Sequence, residues 1–123
     1  MRGSIYFTNV PKQNVTTHSC QSGRRPVLVV SSNIGNRTNS VVMVCPMTTK
    51  IKHLSCNVDV EWTCDGRPSQ VLCNQIMTIP KDELQQYCGH ISLEEQKRVD
   101  IAMCISLGIN IDYSEVRDYD SKR

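Results

Sequence analysis

In the stretch GRRPVLVVSSN, Gly23 to Asn33, two arginines stand side by side, a proline follows, and Val27 to Val30 run on without a polar break. A guanidinium stays charged at every working pH, and its planar fork gives two parallel hydrogen bonds to a phosphate or a carboxylate. Held at the mouth of a buried strand, Arg24 and Arg25 are candidates for gripping an anion; the alternative is a solvated strand start. Three histidines, His18, His53 and His90, are the side chains whose ordinary pKa suits proton transfer near neutrality. His90 opens the GHIS segment and reads as a turn residue. The seven cysteines, at 20, 45, 56, 64, 73, 88 and 104, form no CxxC pair, and the Cys and His spacings match no zinc cage, so no metal site is expected.

Several elements must hold these groups. Short β-rich segments fill the first two thirds: Ile5–Val10, Val27–Ser31, Val41–Cys45, Val58–Trp62 and part of Val71–Ile79. VLVV and VVMVC are apolar on both faces, as central buried strands are. The segments TTHSCQSG and SSNIGNRTNS read as turn-rich loops. Pro80 suits the first turn of a short helix over Lys81–Cys88, which Gly89 would end. Ser92 followed by Glu95 is a capping-box signature, and apolar residues at helical spacing predict a second helix over Leu93–Leu107, stopped at Gly108. The tail from about 109 to 123 is polar and reads as a terminal strand or a frayed end. Five or more strands closed by one helix fit a small closed or half-open barrel with a helix packed on it.

A chain of 123 residues is long enough for one domain with a real core, which hides roughly two thirds of the unfolded chain's surface. No segment approaches the ~18 apolar residues of a membrane span, and the start MRGSIYFTNV lacks an export pattern, so a soluble, unexported chain is expected. An odd set of cysteines scattered through apolar runs suits reduced thiols in a cytoplasm rather than a disulfide framework. The net charge of +2 is divided unevenly. Seven basic side chains against one acid give residues 1–60 a charge of +6, while seven against eleven give residues 61–123 a charge of −4. An anion-facing surface built from the first half is one reading, and an ordinary charged surface is the other.

GRRPVLVVSSNIGN, VVMVCPMTTKIK, VLCNQIMTIPKDEL and GHISLEEQKRVDIAMCISLG, in that order, resemble the MazF/PemK toxin family, with RGSIYF similar to its opening strand. The resemblance implies a mainly β, SH3-like barrel with a C-terminal helix, a homodimer, and metal-independent, sequence-selective cleavage of single-stranded RNA. It further implies no cofactor, and neutralisation by a MazE-like antitoxin whose acidic tail occupies the RNA groove. Arg25 falls in the family's G-x-R-P-V and Thr48 in its strand-end threonine motif, here PMTTK, so these two are the implied catalytic residues. Gln75, in LCNQIMTI, matches the family's E-Q-I segment as a support for the site. Arg24, Ser19, Gln21, Thr49 and His53 are implied along the RNA path, with Arg37, Lys50 and Lys52 as phosphate positioners that give affinity without base selectivity. The family's G-S-E-Q-G-G loop is replaced by His18, Ser19, Cys20, Gln21, Ser22 and Gly23, so Cys20 stands where a carboxylate is usual. P-T-H-V-E becomes Ser55, Cys56, Asn57, Val58 and Asp59, and base preference is expected to depart with these loops.

Metal-free RNA cleavage uses the ribose 2′-hydroxyl as nucleophile and leaves a 2′,3′-cyclic phosphate and a 5′-hydroxyl. Arg25 suits stabilisation of the phosphorane's extra charge and is a poor proton acceptor, since its pKa exceeds ~12. Thr48 offers a hydroxyl and a strand-end amide for holding the scissile phosphate. His18 and His53 fall in loops that the resemblance places near the RNA groove, which makes them candidates for an improvised acid–base pair, although the family's pattern does not use them. Trp62 either stacks a base or lies against the barrel. An alternative of another class is a non-catalytic binding module on the same fold, directed at gyrase or at nucleic acid, which Cys20 favours. A structural SH3-like domain with an aromatic peptide groove is disfavoured by six aromatics among 123 residues.

Overall fold

β2 (Gly23–Val29) and β3 (Val41–Thr48) form the centre of the molecule, because both of their faces are apolar and both are covered. The computed structural model describes residues 1–10 and 23–110. Around that centre lie β1 (Ser4–Val10), β4 (Asn57–Cys64), β5 (Arg67–Leu72), β6 (Met77–Pro80) and β7 (Gln86–His90). The strands run antiparallel in the order β4-β5-β3-β2-β1-β7, with β6 added to β3. β3 is shared: its first half, Val41 to Val44, pairs with β6, and its end, Met47 and Thr48, pairs with β5. The sheet therefore curls into the half-barrel with a C-terminal helix that the family resemblance implies.

One core cluster lies under the C-terminal helix α2 (Leu93–Leu107): Ile5, Leu28, Cys45, Met47, Val71, Val99 and Ala102 are among its buried members. The other covers the opposite face of β2 and β3, with Val10, Val27, Val29, Val42, Val44 and Ile79. Alternate residues of VLVV thus serve different cores, which is why that run has no polar break. α2 spans the predicted residues. Ser92 Oγ accepts from the Glu95 amide at 3.1 Å, and Glu95 Oε1 accepts from the Ser92 amide at 2.8 Å. Gly108 closes the helix in a left-handed conformation at φ 70° that a side chain would strain. Buried Glu95 also ties the helix to the sheet, its Oε2 accepting from the Glu61 amide at 2.6 Å.

Three sequence expectations are corrected. The proposed helix over Lys81–Cys88 is instead a single 3-10 turn over Lys81–Glu83 followed by strand β7, since the unpaired edge of β1 takes up Gln86 to His90. Gly89 belongs to that strand, not to a helix end: its φ is +143°, and a Cβ there would stand 3.0 Å from Trp62 Cδ1. The loop SSNIGNRTNS contains a short helix α1 (Asn33–Thr38), capped by Ser32 Oγ accepting from the Gly35 amide at 3.2 Å. Of the apolar residues at helical spacing along α2, Val99 and Ala102 are buried and Leu93 and Leu107 are exposed. The six cysteines among the described residues are free thiols. No helix among the described residues is long and apolar enough to cross a membrane.

Candidate active site

The start of β2 and the end of β3 lie at the same end of the sheet because the two strands are antiparallel, Val27 pairing with Pro46 and Leu28 with Cys45. Extending that register by two residues sets Arg25 opposite Thr48. On one side Arg25 is already paired with Thr8 of β1, and on the other Thr48 is paired with Gln70 of β5, itself paired with Asp59 of β4. Thr8–Arg25 is thus one paired step and Thr48–Gln70–Asp59 another, and the extended register brings the two residues that the family motifs single out to the same level.

Pro26 and the buried residues after it anchor the strand, so exposed Arg25 projects from a rigid base. Arg25 and Thr48 line one shallow trough of about 130 Å³, together with Pro26, Met47, Thr49, Lys50, Cys64, Arg67 and Ser69. Three cations, Arg25, Lys50 and Arg67, therefore converge on a hydroxyl-bearing floor. The Lys50 amide donates to Thr48 Oγ1 at 3.1 Å, which leaves the threonine's own O–H to donate outward. Among the described residues no carboxylate or imidazole lines the trough. What its side chains can supply is positive charge, hydrogen-bond donors and position, a combination matched to a phosphate whose charge grows during reaction.

Arg24 goes elsewhere, because adjacent strand residues point to opposite faces. Its guanidinium carbon lies 4.6 Å from the centre of the Phe7 ring, and its Nε donates to Gln85 Oε1 at 3.2 Å. Trp62, half-buried, meets Phe7 edge-on at 6.5 Å and donates its Nε1 to the Cys88 carbonyl at 2.9 Å, so it lies against the barrel. Burial and nearby Cys64 push the Cys88 thiol up, while Arg24 opposes them. Arg37, exposed, sits on α1 at the opposite end of β2 and β3 from the trough. Lys52 and His53 are exposed on the loop that follows Lys50. Gln75, half-buried after β5, does not line the trough; its amide donates to the Leu72 carbonyl at 3.1 Å. His18, Ser19, Cys20 and Gln21 lie outside the described residues. His90, read as a turn residue, ends β7 and is exposed.

Sequence reasoning missed two residues. Arg67 reaches the trough from the far side of the Asp65–Gly66 turn, and it belongs to the acidic half of the chain, which the charge division had set aside. Gln70 is buried within the sheet and bonds to the loop after Thr48. The signal available for both was the segment RPSQVL itself, which opens as a strand only when paired with Asn57–Cys64.

A larger hollow of about 470 Å³ lies between β4 and α2, lined by Asn57, Asp59, Arg98, Ile101 and Ile105 among others. Its single arginine faces a carboxylate-bearing wall, and it holds neither Arg25 nor Thr48.

Residues 1–107 match the family model described as PemK-like, MazF-like toxin of type II toxin–antitoxin system. The chain is similar to Endoribonuclease EndoA of Bacillus subtilis (strain 168), 35% identical over 112 residues that cover 88% of this chain and 94% of the relative. Among solved structures it resembles an endoribonuclease in complex with its cognate antitoxin from a mycobacterial species, with a TM-score of 0.75, 24% identity, and coverage of 91% of this chain and 98% of that one. MazF from Deinococcus radiodurans gives a TM-score of 0.71 at 22% identity, over 87% of this chain and 94% of that chain. By family model, curated relative and fold alike, the chain belongs to the PemK-like, MazF-like toxins of type II toxin–antitoxin systems.

Proposed function

We propose that this toxin cuts single-stranded RNA at selected sequences without a metal, in the cytoplasm, as a homodimer held inactive by a MazE-like antitoxin. The observation that carries the reading is the convergence of Arg25, Thr48, Lys50 and Arg67 on one open trough. The relative named an endoribonuclease and the mycobacterial structure solved with its cognate antitoxin support the substrate class and the partner.

In this reading the scissile phosphate lies between Arg25 and Thr48. The ribose 2′-oxygen attacks phosphorus and the bond to the 5′-oxygen breaks. Solvent takes the 2′-hydroxyl proton and returns one to the leaving 5′-oxygen, giving a 2′,3′-cyclic phosphate and a 5′-hydroxyl. Arg25 and Arg67 neutralise the charge that builds on the non-bridging oxygens, and the Thr48 hydroxyl donates to one of them. Lys50, Thr49 and, further along the loop, Lys52 and His53 hold the adjoining backbone, and Ser19 and Gln21 are carried over as RNA contacts from the family resemblance alone. Gln75 supports the site from the segment after β5. Arg24 and Arg37 meet RNA only where a longer strand runs beyond the trough.

Purified protein incubated with a mixed single-stranded RNA in EDTA is expected to give discrete fragments with cyclic-phosphate ends, and the Arg25→Ala variant to give none on the same timescale. Intact RNA with wild-type protein, together with salt-sensitive binding alone, would instead establish a non-catalytic nucleic-acid binder.

A further inference from the structure

We infer that Gln70 is a positioning residue for RNA cleavage: its buried amide fixes the backbone of the Lys50–Cys56 loop against the rung that carries Thr48. The inference rests on the nuclease reading above and adds to it a part that the family motifs do not contain. Gln70 is 2% exposed, yet every hydrogen-bonding position of its side chain is used. Its Oε1 accepts from the Lys52 amide at 3.0 Å and from Asn57 Nδ2 at 3.2 Å. Its Nε2 donates to the Lys52 carbonyl at 2.9 Å and to Asp59 Oδ1 at 2.7 Å.

This side chain therefore treats Lys52 as a strand neighbour would, accepting from its N–H and donating to its C=O, although residues 51–54 belong to no strand. The loop has a second tether at its start, where the Lys50 amide donates to Thr48 Oγ1. Between the two tethers Lys50 is left facing the trough, and Lys52 and His53 leave it in a fixed direction. Exposed loop residues without such ties would sample many geometries, and the cost of ordering them would then fall on RNA binding. Asp59 and Asn57 complete the clamp from β4, so the loop's position is transmitted from the paired strands rather than from the loop's own packing.

The test begins with wild-type protein, in which amide exchange at Lys52 is expected to be slower than at its loop neighbours Ile51 and His53; equal exchange at all three would overturn the clamp. Gln70→Met keeps length and burial while removing all four bonds. In that variant the Lys52 amide is expected to exchange freely, KM for a single-site RNA to rise roughly tenfold with kcat less affected, and secondary cut sites to appear. A second variant separates loop positioning from sheet stability. Gln70→Glu combined with Asp59→Asn reverses donor and acceptor between β5 and β4 and so restores that pair, but sets a carboxylate oxygen against the Lys52 carbonyl. Its melting temperature is expected to return toward wild type while KM stays raised. If KM instead recovers with melting temperature, Gln70 serves only the sheet and the inference fails. Wild-type protein that leaves RNA intact would sink the nuclease reading, whereas a cutting wild type with an unchanged KM in Gln70→Met would sink the clamp alone.

Discussion

Arg24 and Arg25 are neighbours in the chain and occupy two different regions of the molecule. On one face of β2 the Arg24 guanidinium rests on Phe7 and bonds to Gln85, in a brace that joins β1, β2 and the start of β7. On the other face Arg25 lines an open trough beside Thr48, Lys50 and Arg67. The same charge braces strands where an aromatic ring and a side-chain amide surround it, and in the proposed reading it meets phosphate where hydroxyls and further cations surround it. A pair of arginines therefore says less than the pleat that separates them.

Replacing each in turn is the strongest way to break this contrast. Arg25→Ala is expected to lower kcat by 10² to 10³, about 3 to 4 kcal/mol of lost charge stabilisation, with little change in melting temperature. Arg24→Ala should show the reverse: about 0.5 to 1 kcal/mol of stability lost with the ring contact, and cleavage within roughly threefold of wild type. Quench-flow or gel rates alongside calorimetry would distinguish them. Equal losses of activity would place both arginines on the RNA and remove the division between the faces.

Thr48 offers the next largest effect. Thr48→Val keeps the shape and removes the hydroxyl, so both the outward donor and the acceptor for the Lys50 amide are lost. A hydrogen bond to a charged group is worth about 1.5 to 3 kcal/mol, which predicts a roughly ten- to hundred-fold fall in single-turnover rate. Thr48→Ser should recover most of that rate, because only the methyl group is lost. If valine cuts as fast as threonine, the trough is merely a place where Arg25 happens to be open to solvent.

How much of this could be read in the sequence differs by element. β2, β3 and α2 were legible because each carries a local signal: apolar runs in the strands, and Ser92, Glu95 and Gly108 at the ends of the helix. The stretch Gln86–His90 was read as helix because its strand identity is conferred by the edge of β1, which local periodicity does not contain. The trough divides in the same way. Arg25 and Thr48 were found through motifs, while Arg67 and Gln70 needed the β4–β5 pairing and the register Thr48–Gln70–Asp59. Arg37 is a different case: it was legible as a basic side chain, but only the order of the elements shows that α1 sits at the end of β2 and β3 away from the trough.

Alkaline pH sharpens the comparison between the trough and the core only three residues away. The Cys45 thiol is pushed far above its ordinary value of 9.0 by its hydrogen bond with Cys73 and by burial. In the unfolded chain that thiol ionises through pH 9.0 while the folded state keeps its proton, so the stabilisation is present below 9.0 and lost as pH rises beyond it. The expected loss approaches about 1.4 kcal/mol for each pH unit above that point. Cys45→Val, close in size and unable to titrate, should flatten the fall in melting temperature between pH 9 and 10 while leaving cleavage at pH 7 unchanged. A wild-type melting temperature that is level across this range would show that the buried thiol does not couple folding to alkali.

The smallest effect separates the two ends of the central strands. Lys50 lines the trough, whereas Arg37 sits on α1 beyond the other end of β2 and β3. A flexible ammonium exposed to solvent positions a phosphate without reading a base, so Lys50→Ala should raise KM a few-fold, leave kcat unchanged and keep the same cut sites. Each phosphate neutralised by a single-stranded partner contributes about 0.7 to the slope of log affinity against log salt, so the variant's slope should be shallower by about that amount. Arg37→Ala is the companion measurement. A slope that is unchanged there confines the RNA to the trough end, whereas an equal reduction traces its path along β2 and β3 as far as α1, making the face between them, and not the trough alone, the surface that holds the substrate.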